Sequence, residues 1–142
     1  MCKYDLERFL KAQETAYQRA LAEMKRGRKQ THWMWFIFPQ LRELGRSQTA
    51  KYYGIADLEE ARAYLQHPIL GVRLREISSA LLFVPCNDPF RVMGEVDDMK
   101  LCSSMTLFAN ATEDNGVFLA VLDKFYGGVQ DGMTLSILKR EN

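Results

Sequence analysis

Two histidines, three cysteines and a net charge of +1 are what 142 residues offer toward several common chemistries. With only His32 and His67 as imidazoles, a histidine-rich metal site is excluded. Cys2, Cys86 and Cys102 are odd in number and widely spaced, matching neither a disulfide framework nor the paired spacing of a zinc site. They are expected as buried, reduced thiols, and neither a metal nor a cofactor is expected. Nineteen basic against 18 acidic side chains give no pull toward a polyanion or a membrane surface. No apolar run approaches the roughly 20 residues that span a bilayer; the aromatic run Trp33–Phe38 is far shorter. Asp5, Glu7 and Arg8 follow close on Met1, so no apolar signal segment stands there and a cytoplasmic location is the expectation. Repeats, a glycine-rich phosphate loop, a Gly-x-Ser-x-Gly elbow and a histidine–glutamate zinc motif are missing as well.

What is present is periodic. Hydrophobic residues at 47% and charged residues at 26% describe an ordinary globular chain, expected as one domain over 1–142. Leu6, Phe9, Leu10, Gln13, Tyr17, Leu21 and Met24 recur at three- and four-residue spacing, predicting an amphipathic helix of about five turns ended by Gly27. Ser47 is a candidate cap for a short helix before Gly54, and Asp57 with Glu60 has capping-box spacing. Pro68 is expected as a first helical residue, with Leu70, Leu74, Ile77, Leu81 and Val84 as the buried stripe that follows. Gly71 inside that stripe costs a helix about 1 kcal/mol relative to Ala, which suggests close approach of another backbone or a ligand. Asp88-Pro89 opens a short turn of helix, Val117 to Phe125 form a further helix ended by Gly127-Gly128, and Asp131 to Leu138 pack a last turn through Leu135 and Leu138. The expected fold is all-α, a single-domain bundle of about six to eight helices with short connections.

Two stretches carry candidate chemistry. Thr31-His32-Trp33-Met34-Trp35-Phe36-Ile37-Phe38-Pro39-Gln40 holds both tryptophans, and Pro39 requires a helix here to end near Ile37. Thr31 is a candidate cap for it. The rings read first as core anchors; the functional reading makes one tryptophan a stacking wall for a planar ligand, with His32 at its polar entrance. The second stretch runs from Glu95 to Phe108. On a helix starting near Asp97, Leu101, Met105 and Phe108 face the core, while Asp97, Lys100 and Ser104 share a neighbouring stripe. Asp97, Asp98, Lys100, Ser103 and Ser104 read either as dipole-favoured acids on a solvated face or as a polar patch at a pocket rim. His67 stands at a helix junction, as an entry residue or a ligand contact. The cluster Lys25-Arg26-Gly27-Arg28-Lys29 reads as a solvated helix end or a phosphate holder.

The blocks His32–Gln40, Ala63-Tyr64-Leu65-Gln66-His67-Pro68 with Leu70-Gly71, Asp98-Met99-Lys100-Leu101 and Ser103–Phe108 together resemble one family, the domain of unknown function 1810. The likeness covers Phe9 to Leu138 and implies a mostly α-helical domain with no activity to carry over. A calpastatin label sometimes attached to that family fits badly, because such inhibitors are disordered repeats and this chain is core-rich. The layout also resembles that of proteins acting on ADP-ribose and related glycosides, which place acids after a helix.

A site is therefore expected between the two stretches, with His32, Trp33, Trp35 and Gln40 facing Asp97, Asp98, Lys100, Ser103 and Ser104. Acid–base work would fall to Asp97, Asp98 or His32, and His67 joins the ligand contacts. The expected function is a small enzyme or binding protein for a polar, nucleotide- or ADP-ribose-like metabolite. The alternative is a protein–protein interaction module using Trp33–Phe38 as an exposed aromatic patch. A nucleic-acid partner ranks third, because the chain is nearly neutral and its basic run short.

Overall fold

Helix α1, Glu7–Arg26, buries Phe9, Gln13, Tyr17, Ala20, Leu21 and Met24 along one side, and Gly27 ends it with φ of 83°. The computed structural model to which these elements belong describes residues 4–140. Cys2 lies outside them. After α1 come α2 (Met34–Ile37), a 3-10 turn (Arg42–Leu44), α3 (Gln48–Tyr52), α4 (Leu58–Gln66) and α5 (Leu70–Leu81). The remainder is α6 (Pro89–Met93), α7 (Asp98–Ala109), α8 (Gly116–Tyr126) and α9 (Gly132–Arg140). The described residues thus hold nine α-helices and no strand, only an isolated bridge between Leu41 and Ile55. The all-α expectation holds. The number passes the expected six to eight because α2, α3 and α6 are single turns of 4 or 5 residues.

Helix α7 is the axis of the bundle. Every residue from Leu101 to Ala109 is buried, because α4, α6, α8 and α9 pack around it. A helix enclosed on all sides shows no single apolar stripe, so Ser103 and Ser104, expected at a pocket rim, lie largely inside, as does Thr106. Helix α1 packs on α2 and α5, and α5 in turn meets α4 and α8. The buried apolar side chains form one continuous cluster.

Polar side chains on buried faces tie the elements together. Arg8 reaches from α1 to Glu60 at 3.0 Å and donates to the carbonyls of Tyr52 and Gly54. Gln13 donates to the Phe36 carbonyl and to the Tyr64 hydroxyl, which joins α1 to α2 and α4. The Gly71 expectation resolves in favour of backbone: a Cβ there would stand 2.0 Å from the Leu65 carbonyl oxygen, so α4 and α5 cross with no room for a side chain.

Local details differ from the sequence reading at four points. Thr31 does not cap α2, whose N-cap position is Trp33; its hydroxyl donates to Glu23 instead. Asp57 caps α4 through the Glu60 N–H, but Glu60 turns to Arg8 and the Ala56 N–H, because a buried guanidinium outcompetes a cap. Pro68 stays in the turn, and α5 begins at Leu70. Helix α9 packs through Thr134, Ile137 and Leu138, leaving Leu135 exposed. No helix of the described residues is long and apolar enough to cross a membrane.

Candidate functional site

The aromatic stretch divides at its two tryptophans. Trp33 is 1% exposed and is held from below by Glu23, a buried carboxylate on α1. Glu23 Oε1 accepts from the Trp33 indole N–H at 2.9 Å and from the Gln30 and Thr31 amides at 2.7 and 3.0 Å. Its Oε2 accepts from the Thr31 hydroxyl at 2.6 Å. Burial alone would raise the pKa of this group. The donated hydrogen bonds, led by the Thr31 hydroxyl and the Gln30 amide, outweigh burial and lower it to about 2. Phe38 and Ile37 are buried beside Trp33. Trp33 is therefore core, without the free ring face a stacking wall needs, and of the aromatic rings in the stretch Trp35 and Phe36 keep partial exposure.

Trp35, on α2, is half-exposed and borders two clefts. One, of about 320 Å³, is lined by His32, Trp35, Val96, Asp97 and Lys100, among others. The other, of about 500 Å³, is lined by Trp35, Gln40, Arg46, Lys100, Ser103 and Asp131, among others. Trp35 and Lys100 belong to both. The Lys100 ammonium lies 5.7 Å from the Trp35 ring centroid, so the ridge between the clefts is an aromatic face with a cation against it.

Asp97 organises the cations. Its Oδ1 pairs with Lys100 at 3.1 Å and its Oδ2 with Lys29 at 3.0 Å. Lys29 also donates to the Thr31 carbonyl at 2.6 Å and stands 4.9 Å from the Trp33 ring centroid. With both oxygens engaged, Asp97 aligns two lysines rather than offering a free base. His32 is exposed at the same cleft, and its imidazole has no hydrogen-bond or ionic partner among the described residues.

The expected residues separate accordingly. His32, Trp35, Gln40, Asp97, Lys100 and Ser103 come together around the two clefts. Ser104 does not: it is fully buried in α7 and its hydroxyl has no partner among the described residues. Asp98 lines neither cleft; its side chain accepts from the Met99 N–H and its carbonyl from the Tyr126 hydroxyl. His67 lies at a different cleft, beside Leu6 and Gln66, where Nδ1 accepts from the Ile69 and Leu70 amides at the entry to α5.

Three residues beyond the expected set belong here. Asp131 caps α9: Oδ2 accepts from the Thr134 amide at 3.0 Å, the Thr134 hydroxyl at 2.6 Å and Ser103 at 3.2 Å. Its signal was an acid three residues before a threonine, ahead of an apolar run. Glu23 signalled itself as a charge three residues after Ala20 on the buried stripe of α1. Arg46 had no signal. Cys102 is buried, and burial, then the nearby Asp131, pushes its thiol up to about 11, which makes it a packing residue rather than a nucleophile. Cys86 is half-buried, short of the expected burial. Among the described residues, no group of three or more histidine, cysteine, aspartate or glutamate side chains could hold a metal ion.

Comparison with known proteins finds one family, described as "Protein of unknown function (DUF1810)", matching residues 3–138. The crystal structure of the conserved hypothetical protein Rv1873 from Mycobacterium tuberculosis is similar, with a TM-score of 0.95 and 50% sequence identity over 97% of this chain and 99% of that one. No curated protein matches.

Proposed function

We propose that this chain, which belongs to the DUF1810 family of unknown function, is a cytoplasmic protein that binds a polar, nucleotide- or ADP-ribose-like metabolite across the Trp35–Lys100 ridge. The observation that carries the reading is that ridge: a half-exposed indole with an ammonium against it, shared by two clefts. A planar base fits the indole face, and an anionic group fits Lys100 and Arg46. Gln40 and Asp131 supply acceptors for ligand hydroxyls in the larger cleft. Asp97 holds Lys100 in position, and proton transfer in the smaller cleft falls to His32, whose ring nitrogens are uncommitted among the described residues.

The test is a melting-temperature and tryptophan-fluorescence titration against AMP, ADP-ribose, NAD and sugar phosphates. Ligand at about 100 times its Kd should stabilise the fold by about 2.7 kcal/mol, and stacking should change the emission of Trp35. Trp35→Leu and Lys100→Gln, both away from the core, should remove the shift while leaving the unliganded melt intact. A blank panel, or a shift that survives both substitutions, would sink the reading.

A further inference from the structure

A third cleft, of about 680 Å³, opens where the end of α1 meets α6, and Lys29 is its boundary with the smaller Trp35 cleft. Its charge comes from Arg26, Arg28 and Arg91, and no acidic side chain lines it. The Lys29 ammonium is committed to Asp97 and Thr31, so the three arginines supply the charge. The frame that carries two of them is pinned. Gly27 turns the chain, the Arg28 N–H donates to the Glu23 carbonyl at 3.0 Å, and the Lys29 N–H donates to the Val92 carbonyl of α6 at 2.7 Å. Neither Arg26 nor Arg28 has a hydrogen bond or ion pair from its side chain among the described residues. Arg91 meets only Asp88 there, at 3.9 Å with both groups largely exposed. Phe90, 53% exposed, adds an apolar wall.

Three arginines on a concave wall, with the exposed Asp88 as the one acid paired to any of them among the described residues, leave a positive local potential that favours an anion. Guanidinium groups present paired N–H donors suited to phosphate oxygens. Two linked phosphoryl groups offer more acceptor oxygens and more negative charge than one, and so engage three separate guanidinium groups along a cleft more fully. Asp88 and the exposed Glu95 border the cleft in sequence, which interrupts the continuous basic track that an extended strand of nucleic acid requires. We infer that this arginine cleft is a second ligand site, taking a diphosphate group, and that it stands independently of the Trp35–Lys100 reading.

The experiment is an amide NMR titration of the full chain with inorganic pyrophosphate at low ionic strength, paired with calorimetry. Saturable shifts confined to residues 26–29 and 88–94 are expected. The Kd should loosen about tenfold or more in the R28Q/R91Q double variant, as charge-assisted hydrogen bonds are lost, and weaken further as salt is raised. Both arginines are exposed, so the variant should fold. Trp35→Leu should leave pyrophosphate binding unchanged, which separates this site from the other. Absence of saturable shifts, or an affinity that survives R28Q/R91Q, overturns the inference. So does a single-stranded oligonucleotide that binds more tightly than pyrophosphate with shifts spread beyond the cleft.

Discussion

Trp33 and Trp35 stand two residues apart, each has a lysine ammonium near its ring, and both lysines share Asp97, yet the two sites are built differently. Around Trp33 the polar atoms are matched internally: the indole N–H, two amides and a hydroxyl all converge on Glu23. Around Trp35 the indole N–H has no partner among the described residues, and the ring faces two clefts. A saturated network buried in the core serves folding, because each donor left unmatched there would cost desolvation free energy. An unsaturated one at a cleft leaves donors and an aromatic face for something outside the chain. The contrast separates residues that the pattern of aromatics alone treats as equivalent.

The largest effect expected from that contrast is on stability. Trp33→Ala removes a fully buried indole and orphans part of the Glu23 network, at about 4 kcal/mol. Trp35→Ala should cost about 1 kcal/mol or less, since its ring already meets solvent. Glu23→Ala, which leaves four donors without their acceptor, should cost about 3 kcal/mol. Urea unfolding of the three variants measures all of this, and a Trp35→Ala loss equal to that of Trp33→Ala would erase the contrast.

Glu23 also predicts how stability depends on pH. Its carboxyl titrates at about 2 in the folded chain, well below an unfolded glutamate, because the donated hydrogen bonds outweigh burial. A depressed pKa contributes stability that is complete above the unfolded value and is lost as pH falls through the folded one. Between about pH 5 and pH 2 the protein should therefore lose on the order of 3 kcal/mol from this group alone. The difference between wild-type and Glu23→Gln unfolding free energies should shrink across that window. A difference that stays constant with pH would mean that Glu23 carries no such linkage.

Much of the fold was legible because its helices are bounded by strong local signals. The stripe from Phe9 to Met24, the αL glycine at Gly27, the caps at Ser47, Asp57 and Asp88 and the stripe from Leu70 to Leu81 all stand as read. Even the steric demand at Gly71 could be anticipated, though only the structure identifies Leu65 as the neighbour. The enclosure of α7 was not legible. Periodicity reports how many faces of a helix are apolar, but Ser103, Ser104 and Thr106 are small enough to be buried on faces that their polarity assigns to solvent. The same limit applies to the site. Sequence singled out two stretches because their composition is unusual on both sides, and the structure places six of the ten residues named around the two clefts. Which tryptophan would be core depended on Glu23 and Lys29, partners supplied by the end of α1 and the turn after it, and on no feature of the aromatic stretch itself.

The finest distinction lies between the two lysines on Asp97. Their distances to it are nearly equal, 3.0 and 3.1 Å, but the Lys29 side chain is 8% exposed and the Lys100 side chain 27%. Lys29 further donates to the Thr31 carbonyl, so its ammonium closes the core network from outside. Coulomb attraction strengthens as water is excluded, whereas exposed pairs are screened and lose side-chain entropy when held. A double-mutant cycle of Lys29→Met with Asp97→Asn should accordingly give a coupling of about 1 kcal/mol. The cycle of Lys100→Met with the same Asp97→Asn should give about 0.3 kcal/mol, in the range of exposed helix pairs. Ligand affinity should rank the other way, with Lys100→Met the more damaging of the two for any anion bound at Trp35. Equal couplings, or an affinity loss led by Lys29→Met, would mean that Asp97 holds one undivided cation pair and that the boundary between core and cleft does not pass between these lysines.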